Sequence, residues 1–181
     1  MGFYSLRLKP FEKTDLTRPL EILLRIYFDR WSFRTEWDLL GPVEHSVRWP
    51  EVKRQPEFRE GLWKETCYEI FMGLPTSPSY WEWNFSPSHD YAAFGFGNYR
   101  AKLSNSQKSF KPRMDWSGVS LSAEFMKSDL EEIGLRGNAF DVQCSAVLLH
   151  NDGTKSYWAL NQSGLNQPDF HVRENFVPIS I

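Results

Sequence analysis

The run Leu20-Glu21-Ile22-Leu23-Leu24-Arg25-Ile26-Tyr27-Phe28, and its sequel Phe33-Arg34-Thr35-Glu36-Trp37-Asp38-Leu39 after the connection Asp29-Arg30-Trp31, decide the fold class. Leu20, Ile22, Leu24, Ile26 and Phe28 fall on one side of a period-two pattern, and Glu21, Arg25 and Asp29 on the other. A strand places successive side chains on opposite faces, so this pattern buries one face and solvates the other. The second run alternates in the same way and reads as the return strand of a hairpin.

The same period recurs along the chain. Residues 66 to 73, 80 to 86 and about 91 to 96 are separated by Leu74-Pro75-Thr76-Ser77-Pro78-Ser79 and by a short polar link, and read as a three-strand meander. Val119, Leu121, Ala123 and Phe125 form one further alternating set, and Phe140, Val142, Cys144, Ala146 and Leu148 another. Asn151-Asp152-Gly153 is a hairpin turn returning through Ser156-Tyr157-Trp158-Ala159-Leu160. Ser128-Asp129-Leu130-Glu131 has capping-box form and predicts a helical turn or two before Gly134. Residues 42 to 60, with Pro50 and Pro56, read as a long loop. Eight to eleven strands without βαβ alternation predict an all-β, antiparallel β-sandwich, jelly-roll-like, with one or two short helical turns, and residues 1–181 read as one domain.

Composition narrows the function. A net charge of −2, from 21 basic and 23 acidic residues, provides no field of one sign for nucleic acid or anionic lipid. The densest basic stretch, Lys108, Lys111 and Arg113, reads as a solvated loop. The N-terminal residues lack the pattern of a secretory signal and no stretch reaches the ~20 apolar residues that span a bilayer, so a cytoplasmic monomer or weak dimer is expected. No G-x-S-x-G elbow, P-loop, dinucleotide fingerprint or H-E-x-x-H helix occurs, and catalysis is not expected. Cys67 and Cys144 have neither metal-knuckle nor redox spacing and read as buried thiols; a disulfide is geometrically open only if their strands are neighbours. His45, His89, His150 and His171 are scattered.

Aromatic content of 16%, with eight Trp, exceeds what core packing usually selects, and the surplus has a place. In residues 80 to 86, Tyr80, Glu82, Asn84 and Ser86 share a face opposite Trp81, Trp83 and Phe85; in the preceding strand Cys67, Glu69 and Phe71 share a face. Pairing that sets Glu69 beside Glu82 or Asn84 gathers two carboxylates and an amide, with Arg100, Arg7, Arg25 or a bound cation to offset their charge. Three readings are open: a structural ion-pair network, a sugar-binding face, and a calcium site. Carboxylates and amides match paired hydroxyls, and aromatic rings stack on a pyranose C–H face.

Trp63 ahead of Glu69-x-Phe71, then Glu82-x-Asn84-x-Ser86-Pro87, Tyr99-Arg100, Tyr157-Trp158-Ala159-Leu160 and Pro168-Asp169-Phe170-His171, together resemble DOMON-like proteins related to type 9 carbohydrate-binding modules. The resemblance runs from about residue 60 to the C-terminus. It implies a jelly-roll sandwich with a sugar site on one sheet, where two tryptophans clamp the ligand. Trp63 stands in a place similar to the first clamp residue and Trp158 is the candidate for the second. Glu69, Glu82 and Asn84 would then hydrogen-bond the sugar and Arg100 would balance the carboxylates. The resemblance also admits haem, through Met72 or Met126 with His45 or His171. A structural or protein-interaction module without a small ligand is the competing expectation.

Overall fold

The computed structural model describes residues 2–53, 55–104 and 112–180. Of the basic stretch, Lys108 and Lys111 lie outside the described residues, while the highly exposed Arg113 opens a strand. The described residues form eleven strands: β1 Gly2–Pro10, β2 Glu21–Phe28, β3 Ser32–Leu40, β4 Cys67–Gly73, β5 Tyr80–Phe85, β6 Tyr91–Phe96, β7 Arg113–Trp116, β8 Ser120–Met126, β9 Ala139–Leu149, β10 Lys155–Ala159 and β11 Val177–Ser180. Two short helices, α1 Val43–Ser46 and α2 Lys127–Glu132, and two 3-10 turns, Leu62–Lys64 and Arg173–Asn175, complete it.

The strands are ordered β6-β5-β4-β9-β10 in one layer, with β11 on β9, and β1-β2-β3-β8-β7 in the other, all antiparallel. A two-residue pairing, Lys9 with Ala159 and Pro10 with Trp158, connects the layers at one edge. The architecture is an antiparallel β-sandwich, as the period-two pattern predicted.

Between the layers, the inward faces of β2 and β3 (Ile22, Leu24, Ile26, Trp37) meet those of β4, β5 and β9 (Tyr68, Ile70, Trp83, Cys144). Rings cross the interface, with Trp37 5.7 Å from Tyr68 and Trp83 5.1 Å edge-on to Phe125. Each such fully buried large side chain contributes roughly 1.5–3 kcal/mol of transfer free energy, so the alternation that locates the strands also supplies the driving force for closing the sandwich.

Three local expectations change. Helix α2 starts at Lys127, its N-cap Met126 makes no side-chain cap bond, and Ser128 therefore lies inside the helix rather than capping it. Its C-terminus closes at Gly134 (φ +91°), where Leu135 N–H bonds the Leu130 carbonyl. The long loop is anchored: Lys53 and Arg59 both reach the fully buried Asp90, at 2.8 and 2.9 Å. Finally, β4 and β9 are neighbours, but Cys67 pairs with Val147 and points away from the core, while Cys144 pairs with Ile70 and points into it. Both cysteines are free because the sheet stands between them. Among the described residues no helix is long and apolar enough to cross a membrane.

Candidate functional site

The outward face of the β6-β5-β4-β9-β10 layer is not a solvated face. A second apolar cluster covers it, in which Phe71, Tyr80, Phe94, Phe96 and Val147 meet Leu62 from the first 3-10 turn and Phe170 and Phe176 from the C-terminal segment. A sheet buried on both faces explains why every residue of β4 and of β6 is buried. Within this cover a cavity of about 460 Å³ remains, inside the ~300–1,000 Å³ range of small-molecule sites.

Its floor holds the two carboxylates. Register sets Glu69 opposite Asn84 and Glu82 opposite Phe71, so the glutamates are diagonal neighbours on adjacent strands. Glu69 accepts from Ser145 Oγ at 2.9 Å and from the Cys67 thiol at 3.7 Å; Glu82 accepts from Asn84 Nδ2 at 2.6 Å. Burial raises both carboxyls above the ordinary glutamate range, and repulsion from Glu82 adds to the shift at Glu69. The floor thus favours a pair that retains a proton, able both to donate to and accept from ligand hydroxyls.

The C-terminal segment builds one end. Tyr80 Oη accepts from Arg100 N–H at 3.2 Å and lies 2.8 Å from His171 Nδ1, and His171 Nε2 lies 3.6 Å from Glu82. With Tyr80 donating to Nδ1, the neutral imidazole carries its proton on Nε2, facing the carboxylate. Burial, then the nearby Arg100, lower the His171 pKa to about 4. Asp169 accepts from Tyr99 Oη at 2.5 Å, from Arg100 at 3.0 Å and from the His171 N–H at 3.0 Å. Burial opposes its charge, but these bonds outweigh that and hold its pKa below the usual value.

Of the six residues the sequence nominated, Trp63, Glu69, Glu82 and Arg100 line this one cavity. Trp63 is 42% exposed on its 3-10 turn, edge-on to Phe94 at 6.3 Å. Asn84 lies behind the floor, fully buried, and acts on the cavity through Glu82. Trp158 is corrected: it is 1% exposed within the core between the sheets, its indole N–H bonded to Ser156 Oγ, and cannot stack on a ligand at this face. Tyr157, one residue earlier and so on the opposite face of β10, lines the cavity instead. The expected charge partners also change. Arg7 pairs with Glu21, and Arg25 with Glu36 and Asp38, all on the other sheet, while Arg100 pairs directly with Asp169 and acts on Glu82 only through its charge.

Sequence reasoning missed Phe94, Lys102, Lys155 and Tyr157 as lining residues. Tyr157 was recoverable, because the period that buries Ser156 and Trp158 turns Lys155 and Tyr157 outward. No local signal shows Lys102, which bonds Glu60 and sits 3.7 Å over the Phe94 ring after a turn. Met72 faces the core and His171 the outer cavity, so the sheet separates that pair. Among the described residues no three His, Cys, Asp or Glu side chains converge as a metal site.

An antiparallel sandwich bearing an aromatic and acidic cavity on the outward face of one sheet is the class this structure defines. Neither a protein-family model nor a curated protein matches the chain. Among solved structures it is similar to a protein of Bacteroides uniformis assigned to carbohydrate binding, at 14% identity and TM-score 0.72, covering 99% of this chain and 86% of that one. It is also similar to a family 9 carbohydrate-binding module from Caldicellulosiruptor kristjanssonii in complex with cellotriose, at 10% identity and TM-score 0.56, covering 98% of this chain and 81% of that one. At these identities the likeness establishes a shared fold.

Proposed function

We propose that the outer-sheet cavity binds a carbohydrate and does so without catalysis. The observation that carries this reading is that one cavity joins a buried carboxylate pair, Glu69 and Glu82, to rings from separate elements, Trp63 and Tyr157. Paired carboxyl oxygens suit vicinal hydroxyls and ring faces suit the apolar side of a pyranose. Arg100, Asp169 and His171 add donors and acceptors at one end. Both solved structures named above concern carbohydrate-binding proteins, which supports the same ligand class. The finer family reading, a DOMON-like relative of type 9 modules, rests on the Glu69-x-Phe71 and Glu82-x-Asn84 strands that pair in the floor.

The competing reading is a structural module, favoured by the partners the carboxylates already have in Ser145, Cys67 and Asn84. Calorimetric titration with mono- and oligosaccharides separates the two. Binding that is lost in Glu82→Gln and weakened in Trp63→Ala supports the carbohydrate site. Silence of the folded wild-type protein toward every sugar at millimolar concentration leaves the structural module.

A further inference from the structure

The cavity on the outer sheet is lined by charges of both signs, and they do not cancel. Arg100, Lys102 and Lys155 stand with Asp169, Glu69 and Glu82, while His171 is neutral. Burial favours the protonated forms of the two glutamates. Even with one charge left on that pair, cations outnumber carboxylates in the lining, and a cleft with such an excess draws in a negative group.

Two of the three cations already hold a carboxylate. Arg100 bonds Asp169 at 3.0 Å and Lys102 bonds Glu60 at 3.1 Å. Lys155, half-buried on β10, differs from both: its Nζ has one described bond, to a neutral acceptor, the Trp63 carbonyl at 3.2 Å. Glu12 lines an adjacent cavity together with Lys155, yet among the described residues the two make no ion pair. The bond to the carbonyl holds the ammonium beside the 3-10 turn that carries Trp63. An unmatched positive charge and an exposed ring therefore lie at one place in the cavity.

We propose that the ligand is an acidic saccharide, whose anionic group, a uronate carboxylate or a sugar phosphate, pairs with Lys155 while its ring stacks on Trp63. The proposal rests on the carbohydrate reading above. An ammonium bonded to a single carbonyl has further donors to offer, and its bond to an anion is stronger than one to a neutral acceptor. Floor and rim then divide the work: the proton-retaining glutamates read hydroxyls, and Lys155 reads the charge.

The test is a calorimetric comparison, at pH 6 and low salt, of glucose with glucuronic acid and glucose 6-phosphate, and of galactose with galacturonic acid. One acidic class should bind at least tenfold more tightly than its neutral counterpart, and the class that does so identifies the anionic group. Lys155→Gln should bring that ratio below about twofold, and Lys155→Arg should restore most of it, in variants that keep their melting temperature. Salt gives the same reading without a variant, since about 0.5 M NaCl should shrink the wild-type ratio by screening the pair. A ratio near one in the wild type overturns the proposal and leaves the carbohydrate site standing. A ratio undiminished in folded Lys155→Gln, or acetate or inorganic phosphate binding as tightly as the acidic sugars, also overturns it. If no saccharide binds, neutral or acidic, the carbohydrate reading itself falls and this proposal with it.

Discussion

Glu69 and Glu82 lie diagonally across β4 and β5, each bonded to neutral donors, and among the described residues neither forms an ion pair with an arginine. Burial favours a proton retained on the pair, which outweighs the opposing pull of the Lys102 and Arg100 charges on Glu82, and this has consequences that can be measured.

The first is the alkaline side of the stability profile. A carboxyl whose pKa is raised on folding binds more protons folded than unfolded, so its contribution is complete below the ordinary glutamate value of 4.5 and is lost as pH rises through the raised value. Glu69→Gln removes that loss. Its melting temperature, followed by circular dichroism, should exceed that of the wild type at pH 8 by an amount corresponding to about 1–3 kcal/mol. The gap should close by pH 5.

His171 governs part of the opposite limb. Its folded pKa of about 4 lies below the ordinary 6.5, so the unfolded chain takes up the proton first. Stability from this group is present above pH 6.5 and lost as pH falls toward about 4. His171→Asn should flatten that portion of a melting-temperature profile, and an NMR titration of the wild-type imidazole should show it neutral at pH 6.

Trp63 and Trp158 separate binding from folding. Trp63→Ala at an exposed position should change stability by less than about 0.5 kcal/mol while lowering sugar affinity about tenfold. Trp158→Ala opens a core void and should cost roughly 3–5 kcal/mol in urea unfolding. Equal effects of the two on stability would contradict their assigned surroundings.

Asp90 holds the long loop. Burial opposes its charge, but the bonds from Lys53, Arg59 and the Glu57 N–H hold its pKa below the usual 3.8, so its stabilisation persists at neutral pH and is lost as pH falls through the folded value. Asp90→Ala removes the shared buried partner and leaves Lys53 with Glu57 and Arg59 with Glu65. Because Lys53 and Arg59 remain partly exposed, the expected cost is about 2 kcal/mol, below the ~3–5 typical of a fully buried pair. Proteolysis between residues 47 and 60 should accelerate in parallel.

Some of this was legible locally. The alternation in residues 20–39, 66–96 and 140–160 identified the strands and their inward faces, because the period of a strand is a property of its backbone and needs no partner to be read. The same alternation runs through β1 and sets Tyr157 opposite Trp158, but a period does not tell which of the two faces carries a cavity. Strands β7 and β11 are four residues each and too short to show a period.

What the sequence by itself determined is an antiparallel sandwich and the presence, on one strand face, of Glu82 and Asn84 near a strand bearing Glu69. Only the tertiary structure decided which face those residues occupy relative to solvent. The C-terminal segment and the first 3-10 turn fold over the outer sheet, converting what alternation alone would call an exposed surface into a second buried layer around a cavity. Pairing across some 90 residues, as between Tyr80 and His171, depends on how separate strands are ordered. Long-range order of that kind is set by packing, and no local period records it.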